Sequence, residues 1–177
     1  MIVLLPNHYS HFLNKLNTLL PLIFFAVSVY GQQYHFSNFS LQEGLPQSQV
    51  FAICENHLGY IWTGTNGGGL SSFDGIEFIT YTTKDGLPSN YILSLAEDLS
   101  GKLWIGTKNG LAFYDGKEFR AQNVFDKKIA VTCITEDSKR HIWLGTSHGI
   151  FKKSINGFSA FTSKSFPDKG IAVNFIE

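Results

Sequence analysis

A glutamate followed by an amide or a second carboxylate occurs three times along the chain, as Glu55-Asn56, Glu97-Asp98 and Glu136-Asp137. Adjacent acids are raw material for general acid–base catalysis, in which their environments hold a proton on one and off the other. Such a pair works as one special site, whereas these recur at equivalent places of a repeated pattern and fall in separate structural units. A side-chain oxygen closing a turn on its own backbone explains the second position better. Thr65, Thr107 and Thr146 offer hydroxyl nucleophiles, but none has a repeated histidine or acid beside it to act as base, so they read as turn-bonding groups. Gly64, Gly106 and Gly145 suggest a phosphate cradle only until their context is read: no helix or lysine follows, and close backbone approach inside a strand is the better account. Cys54 and Cys133 match no metal spacing and read as small buried side chains rather than a disulfide. His35, His57, His141 and His148 are scattered without ligand spacing, though His148 stands in a turn where the preceding copy has Asn109. No catalytic residue, metal or cofactor is expected.

These groups are positioned by a segment written three times: Ile61-Trp62-Thr63-Gly64-Thr65, Leu103-Trp104-Ile105-Gly106-Thr107 and Ile142-Trp143-Leu144-Gly145-Thr146. The tryptophans fall 42 and then 39 residues apart, the mark of a repeat architecture. The second copy reads most clearly. Asn90 to Glu97 alternates with period two as a buried strand, and Asp98-Leu99-Ser100-Gly101 is a turn. Leu103 to Thr107 is a second strand, Asn109-Gly110 a turn, and Leu111 to Tyr114 a third strand. Asp115-Gly116 is a hairpin signal, and Phe119 opens a fourth strand. Four short strands per repeat of about 40 residues is the arithmetic of a β-propeller blade. The expected fold is all-β, a partial β-propeller of three four-stranded antiparallel blades at about 44–85, 86–128 and 129–170, within a domain spanning 32–177. Residues 36–41 and 171–177 are expected to be single strands of flanking blades.

The first copy carries an extra residue in Gly67-Gly68-Gly69, and the third has Arg140 where Gly59 and Gly101 stand. Trp62, Trp104 and Trp143 sit in strands with mostly apolar groups on both faces, as in a sheet buried between two layers. Burying an indole stabilises by roughly 4–6 kcal/mol at most, so a core role is expected rather than a stacking platform for sugars.

Before the repeats, Lys15 precedes an apolar run from Leu19 to Tyr30 that ends in Val29-Tyr30-Gly31. That is the layout of a signal peptide over 1–31, and the run is shorter than the roughly 20 residues needed to cross a bilayer. Lysine plus arginine and aspartate plus glutamate each number 14, leaving no electrostatic footprint for nucleic acid.

The quoted residues resemble the two-component-regulator propeller repeat. Its pattern runs through Gly86-Leu87-Pro88-Ser89-Asn90, Glu97-Asp98, Gly101, Leu103 to Thr107, Asn109 to Leu111 and Tyr114 to Gly116, with a fuller match in the first copy than in the third. The resemblance implies the periplasmic N-terminal input region of a hybrid two-component sensor histidine kinase, tethered to the inner membrane through a C-terminal part beyond this chain and often responsive to glycan breakdown products. It also implies the remaining blades of the full-length chain as partners, an oligosaccharide ligand, and a homodimer in the full-length sensor. The loop entering each first strand and the loop between the second and third open on one face of a blade. Gln47, Gln49, Asn66, Ser89, Asn90, Lys108, Asn109 and His148 lie there and form the candidate ligand site, a set suited to hydrogen-bonding an uncharged sugar. The competing readings are a fragment of a propeller enzyme such as a virginiamycin-type lyase, and a secreted adhesion or scaffold propeller.

Overall fold

The computed structural model describes residues 36–124, 128–154 and 157–161. The chain divides into two compact units, residues 1–38 and 39–177. Of the first, only residues 36–38 are described, and they carry neither helix nor strand. The expected signal peptide and the flanking strand at 171–177 lie outside the described residues. Among the described residues, no helix is long and apolar enough to cross a membrane.

Among the described residues, the second unit contains three four-stranded antiparallel sheets, each an up-and-down meander in chain order. The first comprises β1 (Val50–Glu55), β2 (Ile61–Thr65), β3 (Leu70–Phe73) and β4 (Phe78–Tyr81). The second comprises β5 (Ile92–Glu97), β6 (Leu103–Thr107), β7 (Gly110–Tyr114) and β8 (Phe119–Gln122). The third comprises β9 (Val131–Glu136), β10 (Ile142–Thr146), β11 (Gly149–Ser154) and β12 (Gly157–Ala160). First strands of successive sheets lie side by side, β5 against β1 and β2, and β9 against β5 and β6. That is the blade order expected from the repeat.

The turns form for local reasons. Asn56 Oδ1 accepts from the Leu58 and Tyr60 N–H groups at 3.1 and 2.9 Å, Asp98 Oδ1 from Ser100 and Lys102 at 2.9 and 3.1 Å, and Asp137 Oδ1 from Lys139 and His141 at 2.9 Å each. The repeated threonines bond carbonyls across the next turn: Thr65 Oγ1 to Gly69 O, Thr107 Oγ1 to Gly110 O and Thr146 Oγ1 to Gly149 O, at 2.8, 2.9 and 2.7 Å. Before the first strand of a blade, Thr82 and Asp85 close a capping box around a 3-10 turn at Thr83–Asp85, ended by left-handed Gly86. Ser40, Glu43 and Gly44 repeat it around Leu41–Glu43. Both turns deliver a buried leucine, Leu45 and Leu87.

Two details depart from expectation. Strand β5 begins at Ile92 rather than Asn90, because the Asn90 and Tyr91 carbonyls accept from the Gly69 and Lys108 N–H groups, both at 3.0 Å, and not from β6. No strand forms over residues 36–41, where irregular backbone runs into the 3-10 turn at Leu41–Glu43. Phe39 still keeps the phase of the repeat. It packs against Phe78 with ring centroids 5.8 Å apart, as Tyr81 packs against Phe119 at 4.8 Å.

The core lies between the sheets. Trp62, the second residue of β2, meets Tyr81, Tyr114 and Phe119, and Trp104 meets Phe113 and Phe158. Both indoles are buried. Trp143 is only half-buried, with Phe161 edge-on at 5.0 Å and no described sheet beyond the third to cover it. The strand glycines mark where the next sheet's first strand arrives. A Cβ at Gly64 would stand 2.5 Å from Ile92 Cγ2, and one at Gly106 would stand 2.6 Å from the Val131 carbonyl oxygen. Cys54 and Cys133 are free thiols, half-buried rather than fully so.

The repeated glutamates do something that local reading did not reveal. Glu97, at the end of β5, accepts from the His57 backbone N–H at 2.8 Å and meets His57 Nδ1 at 2.5 Å, tying the second sheet to the first sheet's turn. Glu136 accepts from the Leu99 N–H at 2.8 Å and ties the third sheet to the second in the same way.

Candidate functional site

Each sheet has two ends. One carries the turns between its first and second strands and between its third and fourth. The other carries the turns between second and third strands and the entries to first strands, and all eight candidate residues lie at this end. Three of them are drawn together across the first two sheets. Asn66 donates its side-chain amide to Gln49 Oε1 at 2.5 Å and its backbone N–H to the Gln49 carbonyl at 3.0 Å. Asn66 also bridges to Tyr91, whose carbonyl accepts from Lys108. The Lys108 ammonium sits 5.0 Å from the centre of the Tyr91 ring.

The other side chains are disposed differently. Ser89 is buried, and its Oγ accepts from the Tyr91 N–H at 3.1 Å. Asn90 Oδ1 accepts from the Thr83 N–H at 2.8 Å, holding the 3-10 turn. Gln47 Oε1 accepts from the Ser48 N–H at 2.8 Å. These three carboxamide and hydroxyl oxygens are engaged in shaping loops. Asn109 and His148 occupy equivalent places in the second and third sheets, their N–H groups donating to Thr107 and Thr146 Oγ1 at 3.1 Å each. The exposed His148 ring meets Ser147 Oγ at 3.0 Å.

Tyr91, which sequence reasoning did not single out, is the exposed aromatic of this end, 44% accessible. A Cβ at Gly67 would lie 3.4 Å from its ring, so the ring rests on a bare backbone. Gly67 belongs to the turn that is one residue longer in the first copy, and that insertion was the available signal. The candidate residues at this end, with Tyr91, present amides, one cation and an aromatic face, a set that suits hydrogen-bonding and stacking. Among the described residues, no group of three or more His, Cys, Asp or Glu side chains is arranged to hold a metal.

The repeated carboxylates, Glu97-Asp98 and Glu136-Asp137, lie toward the opposite end. Burial pushes Asp98 upward, but hydrogen bonds from Ser100, the Trp104 indole and Lys102 outweigh it and hold the group below the ordinary aspartate value. The Trp143 indole, followed by bonds from His141 and Lys139, depresses Asp137. A carboxylate held ionised by fixed donors is a poor general acid at neutral pH. Burial raises the Cys54 thiol, which therefore has little thiolate character.

Against solved structures, the chain is similar to the extracellular domain of a hybrid two component system from B. thetaiotaomicron, at 21% identity and TM-score 0.63, over 75% of this chain and 19% of that one. A second such domain from the same organism matches at 22% identity and TM-score 0.57, over 64% of this chain and 17% of that one. Virginiamycin B lyase from Staphylococcus aureus, solved with quinupristin, matches at 15% identity and TM-score 0.54, over 72% of this chain and 46% of that one. The chain thus spans under a fifth of the hybrid-system domains it matches. No curated protein sequence matches it. The model of the two component regulator propeller matches residues 44–67, 86–109 and 128–148, the segments that run from the entry of each blade through its tryptophan strand. Its sheets, repeat phase and tryptophan strands agree with that match, and the chain carries three copies of the two component regulator propeller repeat on a propeller-like fold.

Proposed function

We propose that this chain is the N-terminal, extracytoplasmic ligand-sensing part of a hybrid two-component sensor. The three family repeats in phase carry the reading. The first sheet's outer face supports its continuation into further blades. Val50, Phe51 and Ile53 of β1 are 39, 54 and 70% exposed, whereas Ile92 and Val131, equivalent to Val50, are fully buried against the preceding sheet. An apolar strand face left in water favours a neighbour, and the remaining blades of the full-length propeller are the occupant proposed here.

In this reading the segment is not itself catalytic. The exported propeller is held at the inner membrane through a C-terminal part that carries the histidine kinase and the phosphorelay, and the sensor works as a homodimer. The ligand is glycan-derived and docks at the loop-bearing end, where Tyr91 offers a face and Gln49, Lys108, Asn109 and His148 offer hydrogen-bonding groups. Signalling requires that the ligand prefer one arrangement of propellers or protomers over another, since equal affinity would shift nothing. Titrating glycan fragments into the complete ectodomain by calorimetry tests the proposal. Binding that weakens in Tyr91→Ala and Lys108→Ala supports it; an ectodomain that binds no fragment while its pathway still responds to the parent glycan refutes it.

A further inference from the structure

A cavity of about 570 Å³ lies between the first and second sheets, at the end opposite the loops just described. Its walls include Tyr60, Trp62, Tyr81 and Tyr114, and its polar lining includes Asn56 and Ser72. That volume is in the range of small-molecule sites, roughly 300–1,000 Å³.

One group in it breaks the rule that the rest of the fold obeys. The Trp104 indole N–H donates to Asp98 Oδ2 at 2.8 Å, and the Trp143 indole N–H to Asp137 Oδ2 at 2.9 Å. Trp62 is only 4% exposed, yet its Nε1 is buried without a hydrogen-bond partner. The reason is one atom. Asn56 replaces the aspartate, and its Oδ1 is fixed by the Leu58 and Tyr60 N–H groups, as Asp98 Oδ1 is fixed by Ser100 and Lys102. The amide nitrogen Nδ2 therefore stands where Asp98 keeps Oδ2. Two donors, Asn56 Nδ2 and Trp62 Nε1, thus stand where the other two sheets pair an indole donor with a carboxylate oxygen, and no oxygen among the described residues accepts from this indole. A buried donor left unpaired costs about 1–3 kcal/mol, so the position favours an oxygen from outside the chain.

The surroundings narrow what carries that oxygen. A cation is repelled by two N–H groups. An anion meets the Asp115 carboxylate at the wall; Arg120, 3.5 Å from Asp115, is shared with Glu118 at 2.6 Å, and His57, which also lines the cavity, is engaged by Glu97. A neutral molecule with an oxygen acceptor and an apolar face suits the aromatic walls.

We propose that this cavity binds a small uncharged oxygen-bearing ring, of the chemistry of a neutral monosaccharide or disaccharide, with one ligand oxygen accepting from both Trp62 Nε1 and Asn56 Nδ2. The site is separate from the loop-bearing end and does not depend on the reading given for that end.

The test uses the full-length protein and a panel of neutral sugars with their uronic acids as charged counterparts, read by saturation-transfer NMR and tryptophan fluorescence. Neutral sugars bind and uronic acids bind more weakly. Asn56→Asp places a carboxylate oxygen on the indole N–H, as in the other sheets, and weakens sugar binding by about tenfold or more while raising the melting temperature. Trp62→Phe removes the donor and weakens binding without the gain in stability. Three results overturn the proposal: no neutral sugar binds at millimolar concentration, Asn56→Asp binds as well as the native protein, or binding is lost in Lys108→Ala and kept in Asn56→Asp. A rise in melting temperature for Asn56→Asp without any sugar binding in the native protein marks a water-filled position and likewise overturns it.

Discussion

Gly106→Ala tests whether the sheets are locked together by backbone approach. A methyl group there would stand 2.6 Å from the Val131 carbonyl oxygen and 3.0 Å from Val131 Cγ1, and would overlap Ser94 Oγ. Ordinary carbon–oxygen approach is about 3.3–3.6 Å, so β9 must retreat by roughly 0.7–1.0 Å. Overpacking of this size costs about 1–3 kcal/mol. Ser94 Oγ also donates to the Val131 carbonyl at 3.2 Å. Displacing it adds about 1 kcal/mol, for a total of about 2–4 kcal/mol. Urea unfolding of the full natural chain, followed by tryptophan fluorescence, reads this as a lower midpoint at unchanged slope. Because Ser94 and the new methyl compete for one space, Ser94→Ala combined with Gly106→Ala destabilises by less than the sum of the single effects. A loss under about 0.5 kcal/mol, or strict additivity, refutes the argument that this glycine is held by the neighbouring sheet.

Three further outcomes follow from the same geometry. Asp98→Asn removes the acceptor of the buried Trp104 indole and destabilises by about 1–3 kcal/mol at neutral pH. Because the native carboxyl is depressed in the folded state, its contribution is full above the unfolded value of about 3.9 and fades as pH falls through the lower folded value, so the gap between native and variant closes in acid; a gap that widens below pH of about 4 contradicts the assignment. Arg140, with φ of 65° where Gly59 and Gly101 have 82° and 81°, is a non-glycine residue in the left-handed region. Arg140→Gly relieves about 1–2 kcal/mol of steric cost, less the entropy glycine loses on folding, and raises the thermal midpoint; an unchanged or lower midpoint refutes the strain. Glu97→Ala removes the acceptor of the His57 N–H and loosens the first two sheets, speeding hydrogen exchange at His57 while leaving Leu99, held by Glu136, protected; equal exchange at both positions would show that the glutamates do not act sheet by sheet.

What could be read from the residues was whatever one repeat does to itself. The threonine hydroxyls, the Asn56, Asp98 and Asp137 turns, and the strand order all depend on partners within about ten positions, where spacing alone constrains geometry. The strand glycines were legible as close approaches, though not what approaches them. The glutamate ties escaped notice because Glu97 and His57 are 40 residues apart and only the stacking of sheets brings them together. Among the candidate ligand residues, type was a poor guide to availability. Ser89 and Asn90 look like free polar groups in a turn, yet their oxygens are engaged by Tyr91 and Thr83. Tyr91 reads as the start of a strand, and its place beside Gly67 of the longer turn is set by the approach of two sheets rather than by its own repeat.

The repeat also separates structural from functional positions by a physical criterion. A residue present in every copy and bonded alike in each, such as the threonines after the tryptophans, is accounted for by the blade itself. A departure that leaves local bonding intact but changes what faces outward is not accounted for in that way. Arg140 departs and strains its own backbone, so its consequence is confined to its turn. Asn56 departs without disturbing its turn, and its effect passes to a buried indole in the next strand and to a cavity shared with the following sheet. An exchange of oxygen for nitrogen that costs buried hydrogen bonding, at a place where two sister sheets retain the oxygen, is sustained more cheaply if something else supplies the acceptor.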